Sequence, residues 1–229
     1  VAECPHLRLI GLHTHLGTRI TDPERYRTAA ESLLDLVETL RSGHGIEIEY
    51  LNLGGGFVAG TSWDAYAEAI TEPIRRRWPP GRELPKLFLE SGRALIEDAG
   101  YHICRIVARK NDGYVVDSGT HLLLTSDLFP WRASPAHPRT GSLRECKLYG
   151  SLCMNSDVLR RDAMLPEMEP GDALVIHPVG AYHLTQSMQF IQYRPRVVLI
   201  DICGVVHVIR ERETLEHIDA LERMPTTSV

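Results

Sequence analysis

Residues 46–57 have the sequence IEIEYLNLGGGF, a candidate β-strand that ends in three consecutive glycines. Apolar residues alternate with glutamates from Ile46 to Tyr50 and then give way to Leu51 and Leu53, which is the pattern of a strand entering a core. A helical pattern precedes this strand and another follows it. Strands that alternate with helices in this way predict β/α units around a parallel sheet, and therefore an α/β fold.

The two helical patterns have recognisable boundaries. The first has a capping box made by Thr21 and Glu24, with Pro23 in its first turn, and its apolar stripe ends at Gly43. The second helix contains Pro73, which we expect to kink or end it, because proline cannot donate the helical hydrogen bond.

Three predicted strands end in polar or glycine-rich residues. The other two predicted strands are Leu9–Leu12 and Lys86–Leu89. His13 and His15 follow the first strand, Gly54 to Gly56 the second, and Glu90 and Arg93 the third. The carboxyl ends of the strands form the active site of a β/α barrel, because the loops converge there. A complete barrel takes eight units and about 250 residues. We therefore expect residues 1–103 to form only part of a TIM-type (β/α)8 barrel.

Residues 104–229 predict a second, mainly β domain of barrel or sandwich type. Short strand patterns are separated by turns, and a helical spacing near residues 215–221 predicts a terminal helix. The predicted strands are Ile103–Ala108, Tyr114–Val116, Leu122–Leu124, Ala173–Ile176 and Val197–Ile200. A proline-rich stretch from Pro130 to Pro138 is expected to be a connection.

Charge and hydropathy argue against two classes of partner. The formal net charge is −5, with 25 Lys and Arg against 30 Asp and Glu, so a basic surplus for nucleic acid is lacking. The apolar stretch Val197–Ile209 is interrupted by Asp201 and His207, and it is shorter than the roughly 20 residues of a membrane helix. Five cysteines without CxxC spacing favour a cytoplasmic protein. The N-terminal Val1–Pro5 lacks Met and a signal pattern, so we expect a mature, trimmed or internally started chain.

Each strand end allows a structural and a functional interpretation. Gly54 to Gly56 can be a plain tight turn or a nest of N–H groups that binds an anion. Glu90 and Arg93 can be a surface ion pair of little energetic weight, or a carboxylate for a cationic ring nitrogen beside a guanidinium for a phosphate. His13 and His15 point to the same side of a strand. They are either hydrogen-bonded interior histidines or part of the zinc site of a metal-dependent hydrolase.

Taken in order, six segments resemble those of the fold-type-III pyridoxal-phosphate (PLP) decarboxylases, the family of diaminopimelate, ornithine and arginine decarboxylases. GLHTHLGT at residues 11–18 is similar to the family's H-x-G-S/T segment. The others are LGGGF at 53–57 for GGGF, ESGR at 90–93 for E-P-G-R, DSG at 117–119 for D-x-G, CMNSD at 153–157 for C-x-x-x-D, and GAY at 180–182. The resemblance runs from about Leu9 to Glu216. It implies the C-terminal half of a family member: part of the PLP-binding barrel followed by the β domain.

The resemblance also implies roles for individual residues. His15 would stack on the pyridine ring, and Glu90 would pair with the ring nitrogen so that the ring accepts the electrons left when carbon dioxide departs. The phosphate would be bound by Thr18, Gly54, Gly55, Gly56, Arg93 and Tyr182. Cys153 would reach across the interface of a homodimer into the partner's active site and help control protonation. Catalysis is thus assigned to Cys153, His15 and Glu90, and substrate binding to Cys153, Met154 and Asp157.

Two departures from the family pattern bear on activity. The family's Schiff-base lysine lies on an early barrel strand, and Lys86, Lys110 and Lys147 do not match its context. Either a separate chain supplies the N-terminal half, or that half was lost, or this is a non-catalytic PLP-binding protein. Met154 replaces the acidic residue that commonly follows the cysteine, so we expect an atypical amino acid or conjugate as substrate, such as a siderophore intermediate of a specialised pathway.

Overall fold

The computed structural model describes residues 4–127 and 129–225, and the chain divides into two units between Gly100 and Tyr101. The division lies three residues before the boundary expected at residue 103. The outer ends of both predicted domains, residues 1–3 and 226–229, lie outside the described residues. Residues 1–3 make up most of Val1–Pro5, the segment from which a mature, trimmed or internally started chain is expected. Each unit has its own hydrophobic core.

Three short parallel strands form the sheet of the first unit. They are β1 (Gly11–His13), β2 (Tyr50–Asn52) and β3 (Lys86–Phe88), in that order across the sheet. Leu12 is in register with Leu51, and Leu51 is in register with Leu87, so the strands end level with one another. Consecutive parallel strands joined by helices define β/α units, and three are too few to close a barrel. The expectation of a partial TIM-type barrel is confirmed.

Helix α1 (Glu24–His44) packs its predicted apolar stripe into the core. Its predicted capping box is wrong, because the helix start has no side-chain cap from Thr21. Instead the Asp22 Oδ1 atom accepts a hydrogen bond from the Glu24 N–H at 3.0 Å. The helix also ends later than predicted, at Gly45, whose φ of 66° lies in the left-handed region where glycine is the usual C-terminal residue.

Helix α2 (Trp63–Arg77) begins at Ser62, whose hydroxyl accepts the Ala65 N–H at 3.3 Å. The prediction that Pro73 could end this helix is wrong, since the helix continues to Arg77. Pro73 is itself buried, and the helix packs along α1. Packing of an apolar face against the rest of the protein stabilises a helix by more than the loss of one hydrogen bond at a proline destabilises it. A short helix α3 (Arg93–Ile96) and a 3-10 turn (Glu97–Ala99) follow β3.

The second unit is mainly β, as expected. Its six-stranded sheet has the order β6-β9-β4-β5-β7-β8, and a separate hairpin joins β10 and β11. The strands are β4 (His102–Lys110), β5 (Gly113–Val116), β6 (Arg132–Pro135), β7 (Arg144–Tyr149), β8 (Val158–Leu165), β9 (Ala173–His177), β10 (Val197–Ile200) and β11 (Val206–Arg210). The long strand β4 pairs with β9 along its first half and with β5 along its second. A terminal helix α4 (Leu215–Asp219) follows.

Several strand predictions in this unit need correction. Leu122–Leu124 is not a strand, because the N–H groups of Leu122 and Leu123 both bond to the Gly119 carbonyl and close a turn. The proline-rich stretch contains β6, whose partner is β9. Strands β7 and β8 were not predicted. Within the part of the chain that the structure describes, no helix is long and apolar enough to cross a membrane.

Candidate active site

The loops that follow β1, β2 and β3 meet at the glycine turn, Gly54 to Gly56. The Gly55 N–H donates to Nδ1 of His15 at 3.2 Å. The Glu90 N–H donates to the Gly54 carbonyl at 2.8 Å, and the Ile20 N–H donates to the Gly56 carbonyl at 2.8 Å. Because every loop bonds to the same turn, the structure brings His15, the three glycines and Glu90 together.

The glycines permit this close approach. A Cβ atom on Gly55 would lie 2.5 Å from the Glu90 carbonyl oxygen, and one on Gly56 would clash with the Gly17 carbonyl. The turn also keeps one donor for an anion. The N–H groups of Gly54 and Gly55 bond to Asn52 and His15, whereas that of Gly56 has no partner among the described residues. The turn therefore combines tight packing with one donor that is available to a ligand.

The carboxylate of Glu90 is held from one side. Its Oε1 atom accepts a hydrogen bond from Nδ2 of Asn52 at 2.8 Å, and Nε2 of His13 lies 3.7 Å away. His13 and Asn52 occupy paired positions at the ends of β1 and β2. In the described part of the chain, Oε2 of Glu90 has no partner, and the side chain is 53% exposed. Glu90 can therefore present one oxygen to a ligand while Asn52 fixes the other.

The two histidines of the first loop have different surroundings. Nδ1 of His15 accepts the Gly55 N–H, so the neutral ring carries its proton on Nε2. His13 instead lies beside Glu90. Across residues 4–127 and 129–225, no group of three or more His, Cys, Asp or Glu side chains is placed to hold a metal ion.

Arg93 is buried, so it does not form the surface ion pair with Glu90 that one interpretation of the sequence predicts. Its side chain is only 7% exposed, and Nη1 forms an ion pair with Oε1 of Glu97 one helical turn away. A partner carboxylate offsets part of the charge that Arg93 was predicted to offer a phosphate. Thr18 is exposed in the loop after β1.

Sequence reasoning missed two buried tyrosines that support the site. The Tyr26 hydroxyl donates to the Gly55 carbonyl at 2.9 Å, and the Tyr66 hydroxyl donates to the Ile20 carbonyl at 2.5 Å. Burial, together with the neighbouring Tyr66, raises the pKa of Tyr26 to about 12, so it remains a donor. The available signal was tyrosine within an apolar helical stripe, since a buried tyrosine hydroxyl needs an acceptor.

In the second unit, the segment Cys153–Asp157 is organised by its last residue. Asp157 is 3% exposed; its Oδ1 accepts the Thr120 N–H and its Oδ2 accepts the Leu152 N–H, both at 2.8 Å. These bonds tie the loop after β5 to the loop that carries Cys153. Cys153 itself is exposed, and Met154 is partly buried. The geometry thus gives Asp157 a positioning role, with both carboxylate oxygens already occupied.

Tyr182, the buried His121 and the partly buried His102 complete the second unit's candidate residues. Tyr182 has a left-handed φ of 71° and is 40% exposed, and its ring packs edge-on against Phe129 with centroids 5.9 Å apart. His121 is 1% exposed, and neither ring nitrogen has a partner among the described residues. Burial lowers the pKa of His121, and it lowers the pKa of His102 to about 4. These histidines carried no signal in the sequence.

Comparisons with known proteins identify the class to which this site belongs. Residues 1–97 match the family model described as "Pyridoxal-dependent decarboxylase, pyridoxal binding domain". Over nearly its whole length the chain is similar to the fold-type-III PLP-dependent decarboxylases, and PLP is the cofactor that this similarity implies. The family resemblance of the sequence motifs is confirmed.

Individual relatives are diaminopimelate decarboxylases. The chain is 31% identical over 238 residues to that of Methanothermobacter thermautotrophicus, an alignment covering 94% of this chain and 54% of the relative. The structure superposes on a crystal structure of the diaminopimelate decarboxylase from Methanocaldococcus jannaschii with a TM-score of 0.82 at 30% identity. The match covers 98% of this chain and 54% of that one. Another, in co-complex with L-lysine, has a TM-score of 0.80 at 30% identity, over 94% and 52%. The chain spans about half the length of the curated relatives that it matches.

The residues at the glycine turn fit PLP chemically. The cofactor has an aromatic ring, a ring nitrogen that can be protonated and a phosphate. The structure offers the exposed imidazole of His15, together with Oε2 of Glu90 and the N–H of Gly56, neither of which has a partner among the residues described. An imidazole, a carboxylate and a peptide donor are the groups that such a molecule needs.

Proposed function

We propose that this chain contributes the PLP-binding loops and a substrate-facing segment of an amino-acid decarboxylase. The observation that carries the proposal is the meeting of His15, Gly54 to Gly56 and Glu90 at the ends of three parallel strands. The diaminopimelate decarboxylases support the reaction class, since they match nearly the whole of this chain.

The chain's own residues have separable tasks in this proposal. Bound PLP supplies an electron sink for the electrons that remain after loss of carbon dioxide. The carboxylate of Glu90 would accept a hydrogen bond from the protonated ring nitrogen, and its negative charge would favour the protonated ring. Asn52 fixes Oε1 of Glu90, so Oε2 faces the ligand. His15 would pack against the ring, with its orientation set by Gly55, and Gly56 would donate to the phosphate with Thr18 and Arg93. The family resemblance adds Tyr182, in the second unit, as a further phosphate ligand.

Glu90→Gln tests this arrangement. The substitution keeps the shape but removes the charge, so PLP affinity should fall about tenfold and decarboxylation by more, because a charge-assisted hydrogen bond is lost. PLP absorbance titration and carbon dioxide release measure the two effects. The matched control is Glu68→Gln, an exposed glutamate on α2. Equal PLP affinity and activity in both variants would remove the case for Glu90.

We further propose that the Schiff-base lysine is none of the three lysines in this sequence. Lys86 begins β3, at the opposite end from Glu90. In the second unit, Lys147 forms an ion pair with Asp112, and Lys110 lies over the Tyr149 ring. Borohydride reduction of the PLP-loaded protein, followed by peptide mapping, tests this point. A label on any of the three lysines contradicts it. A label on an accompanying polypeptide supports a separate chain, and the absence of label supports a non-catalytic PLP-binding protein.

Met154 supports an atypical substrate. Its thioether has no charge with which to hold a distal ammonium group, and its carbonyl is already bonded to the Asp157 N–H at 3.1 Å. We therefore propose an amino-acid conjugate or another uncommon amino acid, such as a siderophore intermediate. Decarboxylation rates with diaminopimelate, lysine, ornithine and conjugated amino acids decide the question. A clear preference for diaminopimelate would discard the proposal.

A homodimer with shared active sites is proposed on the exposure of Cys153. Cys153→Ala and Glu90→Gln should each lower the activity, and mixing the two variants should restore part of it if each site takes one residue from each chain. Failure of the mixture to recover activity, with dimers present by sedimentation, would argue against sharing. A cytoplasmic location is proposed from the cysteine spacing alone, and cell fractionation tests it.

A further inference from the structure

Arg19 lies directly beside the glycine turn. The loop after β1 contacts the turn on both sides of this residue. A side chain at Gly56 would meet the Gly17 carbonyl, and the Ile20 N–H donates to the Gly56 carbonyl at 2.8 Å. Ile20 is buried, and its carbonyl accepts the Tyr66 hydroxyl. Thr18 and Arg19 therefore form a short arch, a backbone segment held against Gly56 at both ends, by Gly17 on one side and by Ile20 on the other.

The backbone of this arch does not call for arginine. Arg19 has a φ of 57°, in the left-handed region that disfavours residues with a Cβ atom. Glycine would adopt this conformation without strain, and asparagine would adopt it more easily than arginine. A residue that is costly in this conformation indicates a role for its side chain.

The guanidinium of Arg19 is also uncommitted. It is exposed, and it forms no ion pair or hydrogen bond with any residue that the structure describes. The other arginine of the candidate site, Arg93, is buried against Glu97. Arg19 thus places a positive charge in the loop that bonds to Gly56. The N–H of Gly56 likewise has no partner among the described residues.

We propose that Arg19 binds an oxyanion at the glycine turn, either the phosphate of the cofactor or a carboxylate of the substrate. A guanidinium presents paired N–H donors that match both groups. Arg19 supplies there the cationic charge that Arg93 shares with Glu97. This inference rests on the proposed function for the identity of the ligand, but the charge and the geometry are properties of the loop alone.

Four variants test the proposal. Arg19→Gln removes the charge, Arg19→Lys keeps it without the paired donors, and Arg19→Gly removes both the side chain and the backbone strain. Arg75→Gln is the control, because Arg75 is exposed in the last turn of α2, at the end that leads away from the glycine turn. Each protein is titrated with PLP, inorganic phosphate and glutarate, and KM for the amino-acid substrate is measured in the assembly with the polypeptide that supplies the Schiff-base lysine.

Loss of the charge should weaken oxyanion binding about tenfold, with Arg19→Lys intermediate and Arg75→Gln unchanged. A weaker affinity for PLP and phosphate with an unchanged KM assigns the cofactor phosphate. An unchanged PLP affinity with weaker glutarate binding and a raised KM assigns a substrate carboxylate. Arg19→Gly should resist urea at least as well as wild type, so its binding loss cannot be attributed to unfolding.

The proposal and the proposed function can fail separately. If wild-type protein does not bind PLP but binds phosphate or glutarate through Arg19, the proposed function fails and the oxyanion site stands. If all three ligands bind wild type and Arg19→Gln equally, or if wild type binds none of them, the assignment of Arg19 is overturned.

Discussion

Acid should destabilise the second unit through His102, and His102→Gln should remove part of that loss. His102 begins β4, and its Nε2 atom is buried without a partner among the described residues. Burial lowers its pKa from 6.5 to about 4, against an opposing attraction from Asp117, and the neighbouring His121 lowers it further. The unfolded chain therefore binds this proton more readily than the folded chain.

The sign and size of the effect follow from the two pKa values. The stabilising contribution of neutral His102 is complete above pH 6.5 and is lost as the pH falls towards about 4. Each pKa unit corresponds to about 1.4 kcal/mol, so the full loss is about 3 kcal/mol. The pKa of His121 is lowered as well, and its protonation acts in the same direction. In His102→Gln, the contribution of His121 remains, together with that of carboxylates whose pKa is lowered by a paired side chain, such as Glu213 beside Arg194.

Urea unfolding at a series of pH values measures this effect. The fluorescence of Trp131 reports on the second unit, because this residue is buried in its core, once Trp63 and Trp78 are replaced by phenylalanine. The exposed His137→Gln variant is the control. If wild type and His102→Gln lose stability in parallel between about pH 6.5 and about pH 4.5, the pKa of His102 is not lowered by burial and the reasoning is refuted.

Three further substitutions test the packing around the candidate sites. Gly55→Ala places a methyl group against the Glu90 carbonyl, so PLP affinity should fall at least tenfold and stability by about 1–3 kcal/mol, measured by absorbance titration and urea unfolding. Asp157→Ala leaves two backbone N–H groups unpaired and should cost about 2–5 kcal/mol in urea unfolding. Tyr66→Phe removes the hydroxyl that holds the Ile20 carbonyl and should cost about 1 kcal/mol in the same assay.

Matched controls separate these effects from general sensitivity to substitution. Gly43→Ala serves for Gly55, since Gly43 lies in the last turn of α1, where a Cβ atom meets nothing within 4 Å. Asp162→Ala serves for Asp157, because its side chain is 66% exposed. Wild-type PLP affinity in Gly55→Ala would show that the close approach to Glu90 is dispensable. An unchanged urea midpoint in Asp157→Ala or Tyr66→Phe would show that the corresponding bond contributes nothing measurable.

Local patterns in the sequence determined the β/α units and the position of the candidate site. Periodic apolar residues fixed the buried stripe of α1, and strand ends marked by His15, the glycines and Glu90 indicated one converging mouth. Helix boundaries were less determined, since Asp22 caps α1 and Pro73 does not end α2. Capping depends on which side chain reaches a free N–H, and packing against a neighbouring helix outweighs one lost hydrogen bond.

Only the tertiary structure decided which polar groups are committed and which are free. Arg93 pairs with Glu97, both oxygens of Asp157 are occupied, and Arg19 and Oε2 of Glu90 remain available among the described residues. Strands β7 and β8 likewise emerged only from pairing between distant segments. Residue type and spacing give a side chain its chemistry, whereas its hydrogen-bond partners and its burial depend on residues that are remote in sequence and become neighbours when the chain folds.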